Sequence, residues 1–142
     1  MADDVRPEAT GIYFSSYDRK RRRIPNFVGL SDVFSLQLAS DLVVLSACET
    51  ALGKEIRGEG MIGLTRGFMH AGSGAVISSL WEVNEFHSAH LMRMLYQGIF
   101  EKKQAPAAAL RAAQREMWRQ KLPPYYWSGF IFQGEWRMKQ AF

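Results

Sequence analysis

The sequence has few of the features that mark secreted and membrane proteins. Cys48 is its single cysteine, so the chain cannot form an internal disulfide, and a reducing compartment is favoured. No apolar run approaches the roughly 18 residues of a membrane-spanning helix. The polar, acidic N-terminus is not that of a signal peptide. We therefore expect a cytoplasmic protein with no membrane partner.

Signs of cofactor and metal binding are also scarce. The glycine-rich stretch 51–60 lacks the Gly-Lys-Ser/Thr ending of a phosphate-binding loop. His87 and His90 are spaced three apart, but no further ligand stands at a suitable spacing for a metal site. We expect neither a cofactor nor a metal. Without repeats, low-complexity tracts or linkers, the 142 residues indicate a single domain.

Basic residues outnumber acidic ones by 18 to 14, and the excess is unevenly spread. The run 19–23 is entirely basic, a composition that can contact nucleic acid or an anionic surface. It lacks the interleaved aromatic residues of a nucleic-acid groove. A solvated loop between two strand-like segments is the favoured interpretation, and we do not expect a nucleic-acid partner.

The hydropathy pattern predicts an α/β protein. The predicted strands are 11–15, 27–30, 41–46, 75–81 and 126–132. The predicted helices are 32–36 capped by Ser31, 61–69 ending at Gly72 and packed closely on the sheet through its glycines, one that follows Asn84 as its cap, and 107–120 opening at Pro106. This order favours a largely parallel sheet covered by helices, with some antiparallel additions.

The stretch 41–50 is the strongest candidate for a functional site. Its residues 42–45 are apolar and rich in β-branched types, which is typical of a strand buried on both faces. Small and polar residues follow, including Cys48, and ligands gather just past the carboxyl ends of such strands. Taken alone, Cys48 is either a reactive thiol or a buried structural one. The loop predicted at 51–60 lies beside it, where binding residues tend to occur.

Several blocks of the sequence together resemble one known family. They are 41–50, Gly58-Glu59-Gly60 with the helix through Phe68, 79–83, 124–130 and 134–136. On these blocks, residues 6–137 resemble the C-terminal portion of a CHAT domain, the caspase-like domain associated with tetratricopeptide repeats. The resemblance implies a caspase-like three-layer sandwich, with a mostly parallel sheet, helices on both faces and the N-terminal part of the domain missing. The whole chain, 1–142, would then be a single CHAT-like domain.

The resemblance also implies the chemistry of caspase- and separase-like cysteine peptidases, in which Cys48 is the nucleophile of a cysteine–histidine dyad. The family's histidine stands in a His-Gly motif upstream of the segment matching 7–15, and His70, His87 and His90 do not occupy that motif. A free thiol, with a pKa near 8.5, is only slightly ionised at neutral pH without such a base. We therefore expect half of a dyad, and little peptidase activity from the chain alone.

Six further residues are candidates for substrate binding. Glu49 either orients the dyad or caps the following loop. Gly58, Glu59 and Gly60 either shape the cleft, with backbone amides near the reacting carbonyl, or form a tight turn before a helix.

Glu82 and Asn84 follow a core strand on the same side as Cys48. In related peptidases an acidic residue in this region accepts a basic substrate side chain. Asn84 stands where CHAT sequences commonly carry aspartate, and a helix cap is its favoured role.

Two functional hypotheses follow. The first is a CHAT-type cysteine-peptidase fragment that acts on a protein or peptide substrate, with tetratricopeptide repeats or the missing N-terminal half as partners. The alternative is a non-catalytic binding or scaffold module that keeps the fold. In either case, removal of the N-terminal strands should leave an unpaired sheet edge, which can recruit another chain.

Overall fold

Strands and helices follow one another in the predicted order. A computed structural model describes residues 11–46 and 57–137, without the side chains of 57–61. The elements are β1 (Gly11–Tyr13), β2 (Phe27–Gly29), α1 (Leu30–Ser35), β3 (Leu42–Leu45), α2 (Arg57–His70), β4 (Ala75–Ser79), α3 (Glu85–Tyr96) continued by a π-helical turn (Gln97–Glu101), α4 (Pro106–Arg119), a 3₁₀ turn (Pro124–Tyr126) and β5 (Phe130–Gly134).

A three-stranded sheet with the order β3-β4-β5 forms the centre. Strand β3 runs parallel to β4, while β5 runs antiparallel to it, and β1 and β2 form a separate antiparallel pair. Among the described strands the sheet is thus mixed rather than mostly parallel. The reason is that two helices, α3 and α4, separate β4 from β5. The chain therefore returns to the edge where β4 ends, and Phe130 pairs with Ser79 there.

Helices α3 and α4 build the main core on one face of the sheet. They pack on each other, and their buried apolar side chains recur every three or four residues, as an amphipathic helix requires. The fully buried members include Ile77 of β4, Leu91 and Leu95 of α3, and Met117 of α4. Each such side chain stabilises the fold by about 1.5–3 kcal/mol relative to an exposed one.

Helix α2 contacts the same central strand and packs on α1. Leu64 of α2, Val33 of α1 and Val76 of β4 are fully buried but do not belong to the α3–α4 core. Val76 adjoins Ile77 in the strand, so the two side chains point to opposite faces. The model thus shows an α/β protein with buried side chains on both faces of β4.

The glycines of α2 permit close packing, as expected, but against α1 rather than the sheet. A Cβ on Gly67 would lie 3.0 Å from Val33 Cγ1, and one on Gly63 would lie 3.3 Å from Leu30 Cδ2. After α2, Gly72 adopts φ +109°, a left-handed conformation that glycine accepts without strain. The predicted helix end at this glycine is confirmed.

The predicted cap of α1 and the predicted start of the last strand were wrong. Helix α1 is capped at Gly29, whose N–H donates to Asp32 Oδ2 at 2.8 Å. Ser31 already lies inside the first turn, so it is not the cap. The predicted last strand begins at Phe130 rather than four residues earlier. The preceding residues form the 3₁₀ turn instead, because two prolines set its backbone and the Trp127 N–H donates to the Pro124 carbonyl.

Among the helices that the model describes, none is long and apolar enough to cross a membrane. The longest, α2 and α4, have 14 residues each. Helix α4 is amphipathic, with Ala109, Ala113 and Met117 buried on one side and arginines on the other. Its outer side therefore faces solvent among the described residues.

Candidate functional site

The carboxyl ends of β3 and β4 lie at one edge of the sheet. The two strands are parallel, and Leu45 at the end of β3 pairs with Ser78 near the end of β4. Cys48 follows Leu45 by three positions in the sequence. The predicted nucleophile Cys48 and its neighbour Glu49 lie outside the described residues, so their roles stay predictions.

The predicted loop residues Gly58, Glu59 and Gly60 lie in a helix. Helix α2 begins at Arg57, which places all three in its first turn. The prediction of a loop up to residue 60 was therefore wrong over its last residues. Tertiary packing of α2 on α1 and β4 outweighs the low helix propensity of glycine here. The backbone N–H groups of a first turn lack intrahelical partners, which leaves a role in binding a carbonyl open to test.

Asn84 is the N-cap of α3, as predicted. Its Oδ1 accepts a hydrogen bond from the Phe86 N–H at 3.0 Å, and His87 Nδ1 lies 3.2 Å from the same oxygen. This side chain is therefore engaged in capping. Glu82, two residues earlier, is exposed and forms no ion pair within the described ranges.

The segment after β4 is held by a reciprocal contact, which we call the Trp81–Tyr125 clamp. The Trp81 indole N–H donates to the Tyr125 carbonyl at 2.9 Å, and the Tyr125 hydroxyl donates to the Glu82 carbonyl at 2.7 Å. The two rings stack with their centroids 6.1 Å apart. The clamp fixes the backbone that presents the Glu82 carboxylate at the edge of the sheet.

Gly129 makes the clamp possible. A Cβ at this position would lie 2.7 Å from Trp81 Cε2, so the indole packs directly on the glycine backbone. Next to it, the Leu80 N–H donates to the Gly129 carbonyl at 3.0 Å, which extends the β4–β5 pairing past the strand end. Glycine is required at position 129 because the Trp81 ring approaches the backbone closely, and not because the backbone adopts a positive φ.

Sequence reasoning did not identify the contact among Trp81, Tyr125 and Gly129 at this edge. The two aromatic residues are 44 positions apart, and no periodicity rule links residues at that separation. The available signal was indirect: both segments belong to blocks that resemble the CHAT family.

The three histidines have separate surroundings. His70 packs on Phe34, with ring centroids 5.3 Å apart. His87 stacks on Tyr126 at 3.9 Å, nearly parallel. Within the described part of the chain there is no group of three or more His, Cys, Asp or Glu residues that could hold a metal ion.

His90 lies between Gln120 and Arg93 on the α3–α4 surface. Its Nδ1 is 3.3 Å from the Arg93 guanidinium, which can only donate, and its Nε2 is 3.1 Å from Gln120 Oε1. This arrangement assigns the imidazole hydrogen to Nε2. His90 therefore links the two helices through polar contacts.

Comparisons with known proteins identify one family and two relatives. The model of the CHAT domain matches residues 3–135. Tetratricopeptide repeat protein 28 from Homo sapiens is 34% identical over 106 residues, and its Mus musculus counterpart is 31% identical over the same length. Each match covers 73% of this chain but only 4% of the relative, so the chain corresponds to a small part of those proteins. The chain belongs to the CHAT domain family.

Proposed function

We propose that this chain is the C-terminal portion of a caspase- and separase-like cysteine endopeptidase domain, with Cys48 as its nucleophile and the partner histidine supplied from outside the chain. The observation that carries the proposal is the incomplete burial and one-sided pairing of β3. Its residues are all apolar, yet each is only half-buried, and within the described residues the strand pairs on one side only. A strand of this composition is typical of the interior of a larger sheet.

The proposed fold is a caspase-like three-layer sandwich completed by upstream strands. Two observations support it. The buried side chains of β4 point to opposite faces, toward the α3–α4 core and toward the α1–α2 side. The pairing of β3 with β4 is parallel, so additional strands beside β3 would extend a helix-covered α/β sheet.

The histidine is assigned to another segment because each histidine of this chain contacts other groups. His70 packs on Phe34 with the rings tilted, His87 contacts Asn84 and Tyr126, and His90 contacts Gln120 and Arg93. A dyad histidine ionises the sulfur and then protonates the leaving amine. Without it, the thiol of Cys48 should react as an ordinary thiol.

The proposed substrate is a protein or peptide with a basic side chain near the cleaved bond. Glu82 supports this, since its carboxylate is exposed at the candidate edge and its backbone is held by the Trp81–Tyr125 clamp. Glu49, Gly58, Glu59 and Gly60 remain proposed substrate contacts. Asn84 is a weaker candidate, because its side-chain oxygen already caps α3.

We further propose that the domain works together with tetratricopeptide repeats. The support is the printed name of the two relatives, which are both tetratricopeptide repeat proteins. The alternative function is a non-catalytic binding or scaffold module with the same fold. The observation that favours this alternative is that every histidine of the chain contacts a neighbouring side chain.

The test is alkylation of Cys48 by iodoacetamide between pH 4 and pH 9, followed by intact mass. Because the chain has one cysteine, labelling reports a single site, and the Cys48→Ser variant gives the background. The chain alone should react with the pH profile of an unactivated thiol, rising only near pH 8. The same chain fused to a histidine-bearing N-terminal half of a CHAT domain should titrate well below pH 8.

The peptidase and the scaffold functions predict different pH profiles for the alkylation of Cys48. A fusion whose reactivity still rises only near pH 8, and which cleaves no peptide with a basic residue, would overturn the peptidase proposal in favour of the scaffold. A chain that titrates well below pH 8 on its own would contradict the assignment of the histidine to another segment.

A further inference from the structure

The outer side of α4 carries a cavity that the peptidase proposal does not use. It has a volume of about 340 Å³ and is lined by Arg111, Gln114, Arg115, Trp118 and Trp127. We call it the Arg–Trp groove. Helix α4 turns its other side into the core through Ala113 and Met117, so the groove lies on the surface of the molecule.

The helix aligns the three outermost groups of the groove. Arg111, Arg115 and Trp118 stand at positions i, i+4 and i+7, which lie on one stripe of an α-helix. Trp118 has 64% of its surface exposed, although tryptophan is usually largely buried. An exposed indole beside two arginines is a combination of residue types that is enriched at protein interfaces.

The two guanidinium groups are unneutralised. Within the described residues, Arg111 and Arg115 form no ion pair, whereas Arg119 on the same helix pairs with Glu116 at 3.5 Å. Arginine beside an aromatic ring retains its donors in a planar fork that matches a carboxylate. The groove therefore presents positive charge with an apolar floor.

The floor of the groove consists of Gln114 and Trp127. Their side-chain N–H groups are used in hydrogen bonds within the protein. Gln114 Nε2 donates to the Trp127 carbonyl at 3.0 Å and to the Phe130 carbonyl at 2.8 Å. The Trp127 indole N–H donates to the Leu122 carbonyl at 3.0 Å. Because these groups are already ordered, a ligand would bind without an added entropic cost for arranging them.

We propose that the Arg–Trp groove binds an acidic peptide segment of a partner protein, with two carboxylates on Arg111 and Arg115 and an apolar side chain on the indoles of Trp118 and Trp127. Arginine and tryptophan are the residue types that contribute most at protein interfaces. Side chains two apart in an extended peptide are spaced by about 6.5–7 Å, close to the one-turn spacing of the two arginines. On the face that meets the groove, the occupant thus carries two acidic residues two positions apart, followed two positions later by an apolar residue.

The lining distinguishes a carboxylate ligand from a phosphate ligand. Phosphate sites in proteins commonly use backbone N–H groups at the start of a helix. Helix α4 begins at Pro106, more than one turn before Arg111, and the lining residues contribute side chains. Guanidinium groups form bidentate contacts with carboxylates and phosphates alike, so it is the lack of such amides among the lining residues that favours a carboxylate here. This inference concerns a binding site on the far side of α4 and does not depend on the proposed peptidase function.

The test uses a short fluorescein-labelled peptide of the order Glu-Ser-Glu-Ser-Leu, which puts both carboxylates and the leucine on one face, titrated with the 142-residue chain and read by fluorescence anisotropy. The double variant Arg111→Gln/Arg115→Gln should weaken binding about tenfold or more, because it removes both charge-assisted contacts. The Trp118→Ala variant should weaken it several-fold. The corresponding peptide with glutamine in place of both glutamates should not bind detectably.

The matched control is Arg66→Gln/Arg119→Gln, which removes the same charge outside the groove. It should retain the affinity of the unchanged chain within about twofold, apart from weak long-range screening effects. Circular dichroism of each variant reports whether the fold is kept. All four arginines are exposed, so their substitution should leave the fold intact.

Three outcomes would overturn the proposal. An equal loss of affinity in the control variant would show that net charge alone attracts the peptide. Equal binding of the glutamine peptide would show that the guanidinium groups do not select carboxylates. Displacement of the acidic peptide by inorganic phosphate or a nucleoside triphosphate at a lower concentration than the unlabelled peptide would assign the groove to phosphate ligands.

Discussion

Strands β3 and β4 are parallel neighbours that both carry β-branched apolar residues, yet their burial differs sharply. Val76 of β4 has no exposed surface, whereas its partner Val43 of β3 is half-buried. The difference arises because β4 pairs on both sides, with β3 and β5, while β3 pairs on one side within the described residues. The residue types of a strand thus indicate whether it can be buried, but the strands that pair with it determine how far it is buried.

The segment that follows β4 is held by contacts of its own. After β4, the chain enters the Trp81–Tyr125 clamp, and Asn84 then caps α3. After β3, the sequence leads to Cys48, outside the described residues. The candidate edge of the sheet therefore has one side held by contacts with the 3₁₀ turn and Gly129, and another whose partners are proposed to lie upstream.

An apolar edge strand is also a site of association. Edge strands expose unpaired N–H and C=O groups, and natural proteins usually protect them with charges or with cover. Strand β3 carries no charged residue from Leu42 to Leu45. This supports the proposal that a further strand pairs there in the complete domain.

The comparison is tested most strongly by matched truncations, Val76→Ala and Val43→Ala. The two residues are of the same type and are register partners. Val76→Ala should destabilise the protein by about 2–3 kcal/mol, because it leaves a cavity on a fully buried face, and Val43→Ala by about 1 kcal/mol. Urea unfolding followed by circular dichroism measures both. Equal losses would mean that β3 is covered as completely as β4.

A second substitution tests the segment after β4. Gly129→Ala places a Cβ against the Trp81 ring and should cost about 1–3 kcal/mol through overpacking. The change should also shift the tryptophan fluorescence, since the indole must move. The measurement is urea unfolding with fluorescence detection.

Gly29→Ala is the control for this substitution, because a Cβ at Gly29 would meet no atom closer than 3.4 Å. Its cost should be well below that of Gly129→Ala. If the two glycines respond alike, the close contact of Trp81 with Gly129 does not determine the position of the indole.

The hydroxyl of Tyr125 provides a smaller test of the clamp. Tyr125→Phe removes only the hydrogen bond to the Glu82 carbonyl and should cost about 1 kcal/mol or less, since the site is partly solvated. Tyr126→Phe is the control, because Tyr126 contacts His87 through its ring rather than through its hydroxyl. Amide hydrogen exchange of residues 80–84 should increase in the first variant alone. Unchanged exchange would show that the ring stacking suffices to hold the segment.

Local signals in the sequence predicted much of the fold. Asn84 as a helix cap and Pro106 at a helix start depend on hydrogen bonds and backbone angles within a few residues, so their roles can be inferred from the residue types. Antiparallel additions to the sheet were expected, but the antiparallel position of β5 next to β4 was not predicted. It depends on α3 and α4 forming one returning pair, which is a property of their packing.

The candidate site was less predictable for the same reason. Glu82 could be placed at a strand end from the pattern, but the clamp that holds it joins Trp81 to Tyr125 across a long sequence separation. The glycines at 58 and 60 suggested a loop, since glycine is a poor helix former, and their place in α2 reflects tertiary contacts of the helix. Contacts of this kind depend on how distant elements meet.

The smallest expected effect concerns the connection between β1 and β2, which are not part of the β3–β4–β5 sheet. Asp18 organises the basic turn there: its carboxylate accepts from the backbone N–H groups of Lys20 and Arg22 and pairs with the Arg22 guanidinium at 2.8 Å. The hydrogen bonds from the Arg22 backbone and then its side chain lower the pKa of Asp18 below its ordinary value of 3.8.

Because the folded pKa of Asp18 is lowered, its stabilising contribution is complete above about pH 4 and is lost as the pH falls through the lowered pKa. Asp18→Asn should therefore slightly reduce stability at neutral pH, and the difference from the unchanged chain should vanish in acid. Thermal unfolding at a series of pH values measures this difference. If the difference stays constant down to pH 2, the carboxylate charge does not contribute, and the turn is held by backbone contacts such as the Asp18 N–H to Arg22 carbonyl bond.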